Sequence, residues 1–182
     1  HPWVALTGAG ISSASGIPTY RDHAGTWLGS QPIQHDEFIS EPVKRQRYWS
    51  RSALGWPRVG EAQPNASHTA LVKLEQAGLL TGVITQNVDR LHQRAGSQRV
   101  IDLHGRLDQV KCLDCGHVTT REAIQNWIET HNALPNTSAL KLRPDGDADL
   151  PSHYVSDFRI PQCQQCGGVA VSYTHLTLPT NA

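Results

Sequence analysis

An α/β fold, with a parallel sheet and a smaller zinc-binding unit, is predicted by three features of the sequence. A short apolar strand at 3–7 runs directly into a glycine-rich turn. Further apolar strands alternate with helices, and this order is typical of parallel strands joined by crossover connections. Four cysteines form two Cys-x-x-Cys pairs, a spacing that is typical of structural zinc sites.

The composition shows neither a charge surplus nor a membrane signal. The 182 residues include 16 Lys and Arg and 16 Asp and Glu, so the formal net charge is zero. A neutral chain argues against a dedicated nucleic-acid binder. No apolar run reaches the roughly 18 residues of a membrane span, and no secretory signal is recognisable. Methionine is absent even from the first position, His1, and we expect a fragment of a longer reading frame.

The first strand, 3–7, is followed by the turn Gly8-Ala9-Gly10-Ile11-Ser12. A glycine turn between a strand and a helix lets backbone N–H groups approach a pyrophosphate. The third glycine of the pattern Gly-x-Gly-x-x-Gly is missing, since Ser13 stands in its place. On this segment alone, a phosphate-binding turn and an ordinary strand-to-helix turn are equally good interpretations.

A helix and two further strands are predicted in the middle of the chain. The helix spans about 68–77 and ends at Gly78, and His68 stands at its start, where we expect a capping role. Apolar segments at 79–85 and 99–103 are predicted strands. Ligands of open α/β sheets bind at the carboxyl ends of such strands. The polar residues found there are Gln86, Asn87, Asp89 and His104.

The segment between the cysteine pairs is predicted to contain one helix and a long loop. Thr119 and Glu122 have the spacing of a capping box, which predicts a helix start. The residues that share one face of this helix are Ile124, Trp127 and Ile128. Four prolines and several polar residues in 133–161 favour a loop.

The two cysteine pairs are separated by 47 residues, and each is followed by glycine. Two thiolates at this spacing can bind one metal ion together, because glycine permits the tight turn. Four thiolates complete a tetrahedral site with no open position, so a zinc ion here is structural rather than catalytic. Two disulfides or free thiols are the alternatives. The predicted ligands are Cys112, Cys115, Cys163 and Cys166.

Five motifs occur along the chain in one order: Gly8-Ala9-Gly10-Ile11-Ser12, Gly16-Ile17-Pro18-Thr19-Tyr20-Arg21, Thr85-Gln86-Asn87-Val88-Asp89, Leu103-His104-Gly105 and the two cysteine pairs. In this combination and spacing the chain resembles the sirtuins, the NAD-dependent protein deacylases. Two further segments are most similar to the mitochondrial class II sirtuins and their bacterial relatives. They are Arg45-Gln46-Arg47-Tyr48-Trp49 and Pro144-Asp145-Gly146-Asp147.

The resemblance implies a Rossmann-like parallel sheet domain, incomplete in this chain, with a small zinc-binding domain inserted. We expect the Rossmann-like part, including a helical insert, at 1–107 and the zinc-binding domain at 108–168. The tail at 169–182 does not match the strand with which the family continues, and we expect this tail to be an artefact.

The resemblance also implies the roles of individual residues. Those expected to bind NAD are Gly8, Ala9 and Gly10 in the phosphate turn, Tyr20 and Arg21 on the loop over the nicotinamide ribose, and Gln86, Asn87 and Asp89 at the ribose and the nicotinamide amide. His104 would be the catalytic base, because the ordinary histidine pKa of about 6.5 suits proton transfer near neutral pH.

The implied reaction removes an acyl group from lysine. The acyl oxygen attacks C1′ of the nicotinamide ribose, nicotinamide leaves, and a ribose hydroxyl that the base deprotonates then takes over the acyl group. The products are free lysine and O-acyl-ADP-ribose. The expected partner is an acyl-lysine protein or peptide, with no nucleic acid and no membrane. The expected location is the cytoplasm for a bacterial chain or the mitochondrial matrix for a eukaryotic one.

Other functions remain open on the sequence. A protein mono-ADP-ribosyltransferase would use the same NAD site, and a zinc-binding module would have no catalytic role. A dehydrogenase is disfavoured by Ser13 and by the Gln86-Asn87-Val88-Asp89 motif. Since the later strands of the family are missing, we expect this chain alone to be inactive.

Tyr48 and Arg51 form a Tyr-x-x-Arg pair, which selects acidic acyl groups in one sirtuin class. The distance onward to Pro64-Asn65 differs from that class. We therefore expect Arg51 to lie on the surface of a helix.

Overall fold

The described residues form two small sheets, and helices pack against both of them. A computed structural model describes residues 2–19, 24, 33, 35–135, 150 and 152–173. The strands are β1 (Trp3–Thr7), β2 (Leu80–Thr85), β3 (Val100–Asp102), β4 (Arg106–Cys112), β5 (Val118–Thr120) and β6 (Ala170–Tyr173). The helices are α1 (His35–Ser40), α2 (Pro42–Glu61), α3 (Ala66–Gln76), α4 (Leu91–Ala95), α5 (Arg121–His131) and α6 (Ser152–Ser156), and a 3-10 helix at Ala9–Ser15 follows β1.

The first sheet is parallel and has the order β1-β2-β3. Thr7, Thr85 and Asp102 lie side by side at its carboxyl end. The three predicted strands are confirmed to within one residue at each end. The predicted helix at 68–77 is α3, which begins two residues earlier.

Two side chains, those of Asn65 and His68, cap the start of α3. The capping role predicted for His68 is thus confirmed. His68 Nδ1 accepts a hydrogen bond from Asn65 N at 3.2 Å, and Asn65 Oδ1 accepts one from Ser67 N at 2.9 Å. Reciprocal bonds of this kind pair backbone N–H groups that would otherwise be left without partners near a helix start.

The second sheet is antiparallel and has the order β5-β4-β6. Strand β6 lies beyond residue 168, where we expected the zinc-binding domain to end. Ala170 pairs with Cys112, and Val171 pairs with Lys111. Because Ala170 and Val171 are also buried, residues 170–173 complete this sheet.

Two apolar clusters form the core, and α2 contributes to both. The first is built from Trp49, Ala53, Val110, Ile124, Ile128, Phe158 and Ala170. The second is built from Ile17, Val59, Ala62, Leu91 and Leu107. The amino-terminal half of α2 therefore packs with α5 and the second sheet, and its carboxyl-terminal half packs with Ile17, Leu91 of α4 and Leu107 at the start of β4.

A proline interrupts the hydrogen bonds of α2 between the two clusters. Pro57 has no N–H, so the carbonyl of Ala53 loses the partner that a regular helix would give it. Gln125 of α5 donates to this carbonyl at 2.9 Å. Next to it, the Arg121 guanidinium lies 5.5 Å from the Trp49 ring centroid and donates to the Ser52 carbonyl at 3.1 Å. Helix α5 is thus attached to α2 where α2 is interrupted.

The predicted start of α5 is wrong by one residue. Thr119 still belongs to β5, where it pairs with Val110. Thr120 is the capping residue, and its Oγ1 accepts a hydrogen bond from Ala123 N at 3.1 Å. The predicted apolar face is confirmed, since Ile124, Ile128 and Trp127 all pack in the first cluster.

The prediction that Arg51 lies on a helix surface is also wrong. Arg51 is part of α2 and is only 9% exposed. Trp49, Ser50 and Arg51 are buried in succession, so this part of α2 is covered on more than one face, and an apolar pattern does not show that.

One face of the first sheet is uncovered by the described residues. Leu6, Ile84 and Ile101 are neighbours across the three strands, and Leu6 and Ile101 are 69% and 61% exposed. The alternate residues Val83 and Thr85 are buried. Within the described ranges, no helix has both the length and the apolar character needed to cross a membrane.

Candidate active site and metal centre

Polar side chains from two segments, the 3-10 helix and the loop after β2, meet at the carboxyl end of the first sheet. Ser12 donates its hydroxyl proton to Asp89 Oδ2 at 2.6 Å, and Asn87 Nδ2 donates to Ser12 Oγ at 3.0 Å. Ser12 is 1% exposed, and Asn87 and Asp89 are each 9% exposed. A buried carboxylate and a buried amide are therefore held in fixed orientations around one hydroxyl.

The loop after β2 is fixed by its own backbone as well. The Asn87 N–H donates to Thr85 Oγ1 at 3.0 Å, and the Leu91 N–H donates to Asp89 Oδ1 at 2.9 Å. Gln86 N–H donates to the carbonyl of Thr7 at the end of β1. These bonds fix the backbone of the loop that carries Asn87 and Asp89.

His104 lies on the turn after β3 and is exposed. Its Nδ1 is 3.1 Å from the carbonyl oxygen of Gln86. A carbonyl oxygen can only accept, so Nδ1 carries the proton and Nε2 of the neutral ring carries the lone pair. The second ring nitrogen is thus available as a base.

The glycine turn lies against the same loop. Gly8 is extended, and a Cβ at this position would be 3.3 Å from Gln86 Oε1. A Cβ at Gly10 would meet nothing within 4 Å. A small cavity behind the turn is lined by residues that include Ala9, Ser12, Asn87 and Asp89. The turn and the polar site residues therefore line the same cavity.

Two buried histidines lie next to this cluster. The His68 and His92 rings are 4.9 Å apart, and Thr7 Oγ1 is 2.9 Å from His92 Nε2. Burial lowers the pKa of both rings; for His92 the neighbouring His68 lowers it further, and for both rings Asp89 opposes the shift. Sequence analysis predicted only a capping role for His68 and no role for His92, because the contacts of these rings join distant segments.

The four cysteines come together at one end of the second sheet, as predicted. Their sulfur atoms all lie within 4.8 Å of one another. Cys112 and Cys163 are buried, and Cys115 and Cys166 are exposed. Four thiol sulfurs at this separation match the donor set and the tetrahedral geometry that Zn²⁺ prefers.

Hydrogen bonds connect the thiols of this centre to its backbone and to one another. The Cys115 N–H donates to Cys112 Sγ at 3.5 Å, and such bonds lower the pKa of the Cys112 thiol to about 7, whereas the neighbouring thiols raise the pKa of Cys115 and of Cys166. Asp114 in the first pair accepts a hydrogen bond from Val169 N at 2.7 Å, directly after the second pair. The two turns are thus joined by a side chain as well as by the sulfur contacts.

Some predicted positions lie outside the described residues. These are Tyr20 and Arg21, predicted to contact the ribose, and the segment 144–147. The remaining predicted NAD-binding residues and His104 lie at the carboxyl end of the first sheet.

Comparison with known sequences identifies the family of this chain. The sequence profile of the Sir2 family matches residues 8–177. The chain is 54% identical over 166 residues to an NAD-dependent protein deacetylase of Xanthomonas axonopodis pv. citri, which covers 90% of this chain and 56% of the relative. It is 50% identical over 164 residues to NAD-dependent protein deacetylase 2 of Bradyrhizobium diazoefficiens, covering 90% of this chain and 60% of the relative. The chain thus spans less than two thirds of the length of these relatives.

Solved structures agree with the sequence comparison. A Sir2 protein with a p53 peptide and NAD⁺ aligns with a TM-score of 0.65 and 32% identity, over 97% of this chain and 59% of the other. A Sir2 protein bound to a propionylated peptide aligns with a TM-score of 0.66, also at 32% identity, over 97% and 59% of the two chains. The parallel sheet with its polar carboxyl end is the Rossmann-like part of that fold. The chain belongs to the Sir2 family.

Proposed function

We propose that this chain contains the NAD-binding and acyl-transfer site of an NAD-dependent protein-lysine deacylase. One observation carries the proposal: His104 is held by the Gln86 carbonyl in the tautomer that leaves Nε2 basic. The same loop holds Asn87 and Asp89 in fixed orientations. A base, an amide and a carboxylate arranged in this way suit the chemistry implied by the names of the relatives.

The residues proposed to hold NAD are Gly8, Ala9 and Gly10 at the phosphates, Tyr20 and Arg21 over the nicotinamide ribose, and Gln86, Asn87 and Asp89 at the ribose and the amide. The fit is supported by the open space at Gly10 and by the cavity beside Ala9 and Ser12. NAD, when bound, supplies the ribose carbon that receives the acyl oxygen and the nicotinamide that leaves.

The chain's own residues then have distinct tasks. The Asn87 amide can donate and accept, and the Asp89 carboxylate can accept from a hydroxyl, so together they orient polar groups of a ligand. His104 Nε2 takes a proton from a hydroxyl near neutral pH, while its Nδ1–H remains bonded to Gln86 and keeps the ring oriented.

We further propose that Cys112, Cys115, Cys163 and Cys166 bind one structural Zn²⁺. The NAD-binding part would extend over about 1–107, and the zinc-binding domain would begin at 108. The pairing of β6 with β4 supports an end of that domain beyond 168. An acyl-lysine protein or peptide is the proposed substrate, and the bacterial relatives favour a cytoplasmic location.

A segment exchange tests the proposal without depending on the length of this chain. The matched 166 residues of the Xanthomonas axonopodis deacetylase are replaced by those of this chain, and the chimera is assayed with NAD and an acetyl-lysine peptide. We expect release of nicotinamide and formation of O-acyl-ADP-ribose. His104→Asn should lower kcat by at least about 100-fold, the contribution of a general base.

The matched control is His131→Asn, since His131 is exposed on α5 and stacks on Trp127. Zinc content and melting temperature show whether each variant folds. Full activity of His104→Asn would contradict the proposal. Protein-linked ADP-ribose in place of O-acyl-ADP-ribose would assign the site to the mono-ADP-ribosyltransferases instead.

A further inference from the structure

Arg90 has an unusual backbone conformation directly beside the site. Its φ of 65° and ψ of 15° place it in the left-handed region, and it is the sole non-glycine residue with positive φ in the described part of the chain. Residues other than glycine are strained in this backbone region, and strained residues concentrate at functional sites. Glycine would fit this backbone better, so the Arg90 side chain must compensate.

The Arg90 guanidinium lies between two carboxylates. Nη1 donates to Asp102 Oδ2, and Nε is 3.9 Å from Asp108 Oδ2. The side chains of Arg90 and Asp102 are each 18% exposed, so solvent screens their interaction only in part. Gln93 also donates to Asp102, at 2.9 Å, and Arg106 donates to both oxygens of Asp108 at 2.6 Å.

These carboxylates lie on the two strands that flank the turn of His104. Asp102 ends β3 and Asp108 belongs to β4, whereas Arg90 directly follows Asp89 in the loop after β2. Two backbone bonds also join this loop region to the turn and its strands, from Leu103 N to the Thr85 carbonyl and from Leu107 N to the Val88 carbonyl. Arg90 adds a side-chain connection at the end of the loop after β2, next to the residues that face the ligand cavity.

We propose that Arg90 is a positioning residue that fixes the loop of Gln86, Asn87 and Asp89 relative to the turn of His104. The inference rests on the proposed function for its effect on catalysis, but the structural connection exists without NAD. The hydrogen bond between His104 Nδ1 and the Gln86 carbonyl crosses between the same two loops. Its geometry is therefore the direct readout of whether Arg90 holds them together.

The decisive variant is Arg90→Gly. Glycine relieves the backbone strain and removes both ion pairs of Arg90. A change in loop positioning can therefore be observed without a large loss of stability. We expect the melting temperature of the 182-residue chain to stay within a few degrees of wild type. Side-chain ¹⁵N NMR of His104 should show mainly the Nδ1–H tautomer in the wild type and a mixture of both tautomers in Arg90→Gly.

A further variant, Arg90→Met, removes the guanidinium, and Arg94→Met is its matched control. Arg94 lies one turn further along the chain, in α4, and donates to the Gly60 carbonyl. Both variants therefore remove one positive charge from the same part of the chain. Only Arg90→Met should change the His104 spectrum. An equal change in both variants, or an unchanged spectrum in Arg90→Gly, would overturn the inference.

Arg90→Lys decides the question if Arg90→Gly does not fold. Lysine keeps the charge but has a single donor group that cannot reach Asp102 and Asp108 together. We expect a His104 spectrum between those of wild type and Arg90→Met. A spectrum identical to that of the wild type would overturn the inference.

Kinetics in the chimera provide the second readout. Arg90→Gly should lower kcat roughly tenfold, which corresponds to a loss of about 1.4 kcal/mol, and Arg90→Lys should restore part of it. A chimera with no deacylase activity refutes the proposed function, whereas the NMR result still decides the role of Arg90. Full activity of Arg90→Gly would overturn the positioning role.

Discussion

At the scale of single residues, His68 and His92 link the stability of the site to pH. Both rings are almost completely buried, and both have a pKa below the ordinary value of 6.5. The unfolded chain therefore binds more protons than the folded chain once the pH falls to about 6.5. The free energy of unfolding should therefore decrease as the pH falls below about 6.5, and the decrease should end below the lowered pKa values of His68 and His92 in the folded chain.

His92→Gln tests this effect, because glutamine can keep a hydrogen bond to Thr7 but cannot take up a proton. Urea unfolding at about pH 8 and about pH 5 should show a smaller loss of stability in His92→Gln than in the wild type. His131→Gln, on the surface of α5, should lose as much stability as the wild type. Equal losses of stability in all three proteins would show that protonation of His68 and His92 does not cause the loss of stability at low pH.

The residues of the candidate site could be predicted as far as they lie in local motifs. Asn87, Asp89 and His104 follow predicted strands directly, and a pattern of that kind is visible in the sequence. Their partners are not local: Ser12 is 77 residues from Asp89, and Thr7 is 85 residues from His92. Such contacts depend on how the strands pair, which no short segment determines.

At the scale of elements, the cap of α5 provides a test in which the sequence and the structure disagree. Thr120→Ala removes the hydroxyl that accepts from Ala123 N, and it should lower the free energy of unfolding by about 1 kcal/mol. Thr119→Ala, at the position that the sequence favoured, should change it by less than about 0.5 kcal/mol. Thermal unfolding monitored by circular dichroism measures both.

Thr120→Ser is the control, since serine retains the capping hydroxyl and should keep most of the stability. A larger loss for Thr119→Ala than for Thr120→Ala would show that the helix begins where the sequence placed it. The error of one residue has a physical cause. A strand that runs directly into a helix offers two adjacent threonines, and only the pairing of Thr119 with Val110 shows which one still belongs to the strand.

At the scale of the whole molecule, removal of zinc should unfold more than the metal centre. The cysteine turns close the second sheet, and this sheet shares a core with Trp49 and Ala53 of α2. A chelator should therefore decrease the far-ultraviolet circular dichroism of both sheet and helix, because metal binding and folding are coupled in such sites. Zinc released to a colorimetric chelator should amount to one ion per chain.

Zn²⁺ added back should restore the signal, and Mg²⁺ should not, because thiolates do not favour magnesium. Cys163→Ser should resemble the chelated protein. Full retention of the circular dichroism signal and the melting temperature after complete removal of zinc would contradict the expected coupling.

The two cores could not be predicted, although most of the elements could. Apolar periodicity shows which face of a helix is buried, but it does not show what covers that face. Trp49 and Val59 lie in one continuous helix, yet they pack in different clusters. Strand β4 also contributes to both clusters, through Val110 to the first and through Leu107 to the second, and the apolar pattern of α2 does not indicate this.

The interruption at Pro57 marks the position at which α2 can bend, because helices kink where their own hydrogen bonds are missing. At Ala53 the missing partner is replaced by Gln125, a side chain of α5, rather than by the next turn of the helix. The Arg121 bond to the Ser52 carbonyl comes from α5 as well. The curvature of α2 at this turn therefore depends on where α5 lies, so a substitution that shifts α5 would change the direction in which the carboxyl-terminal part of α2 runs.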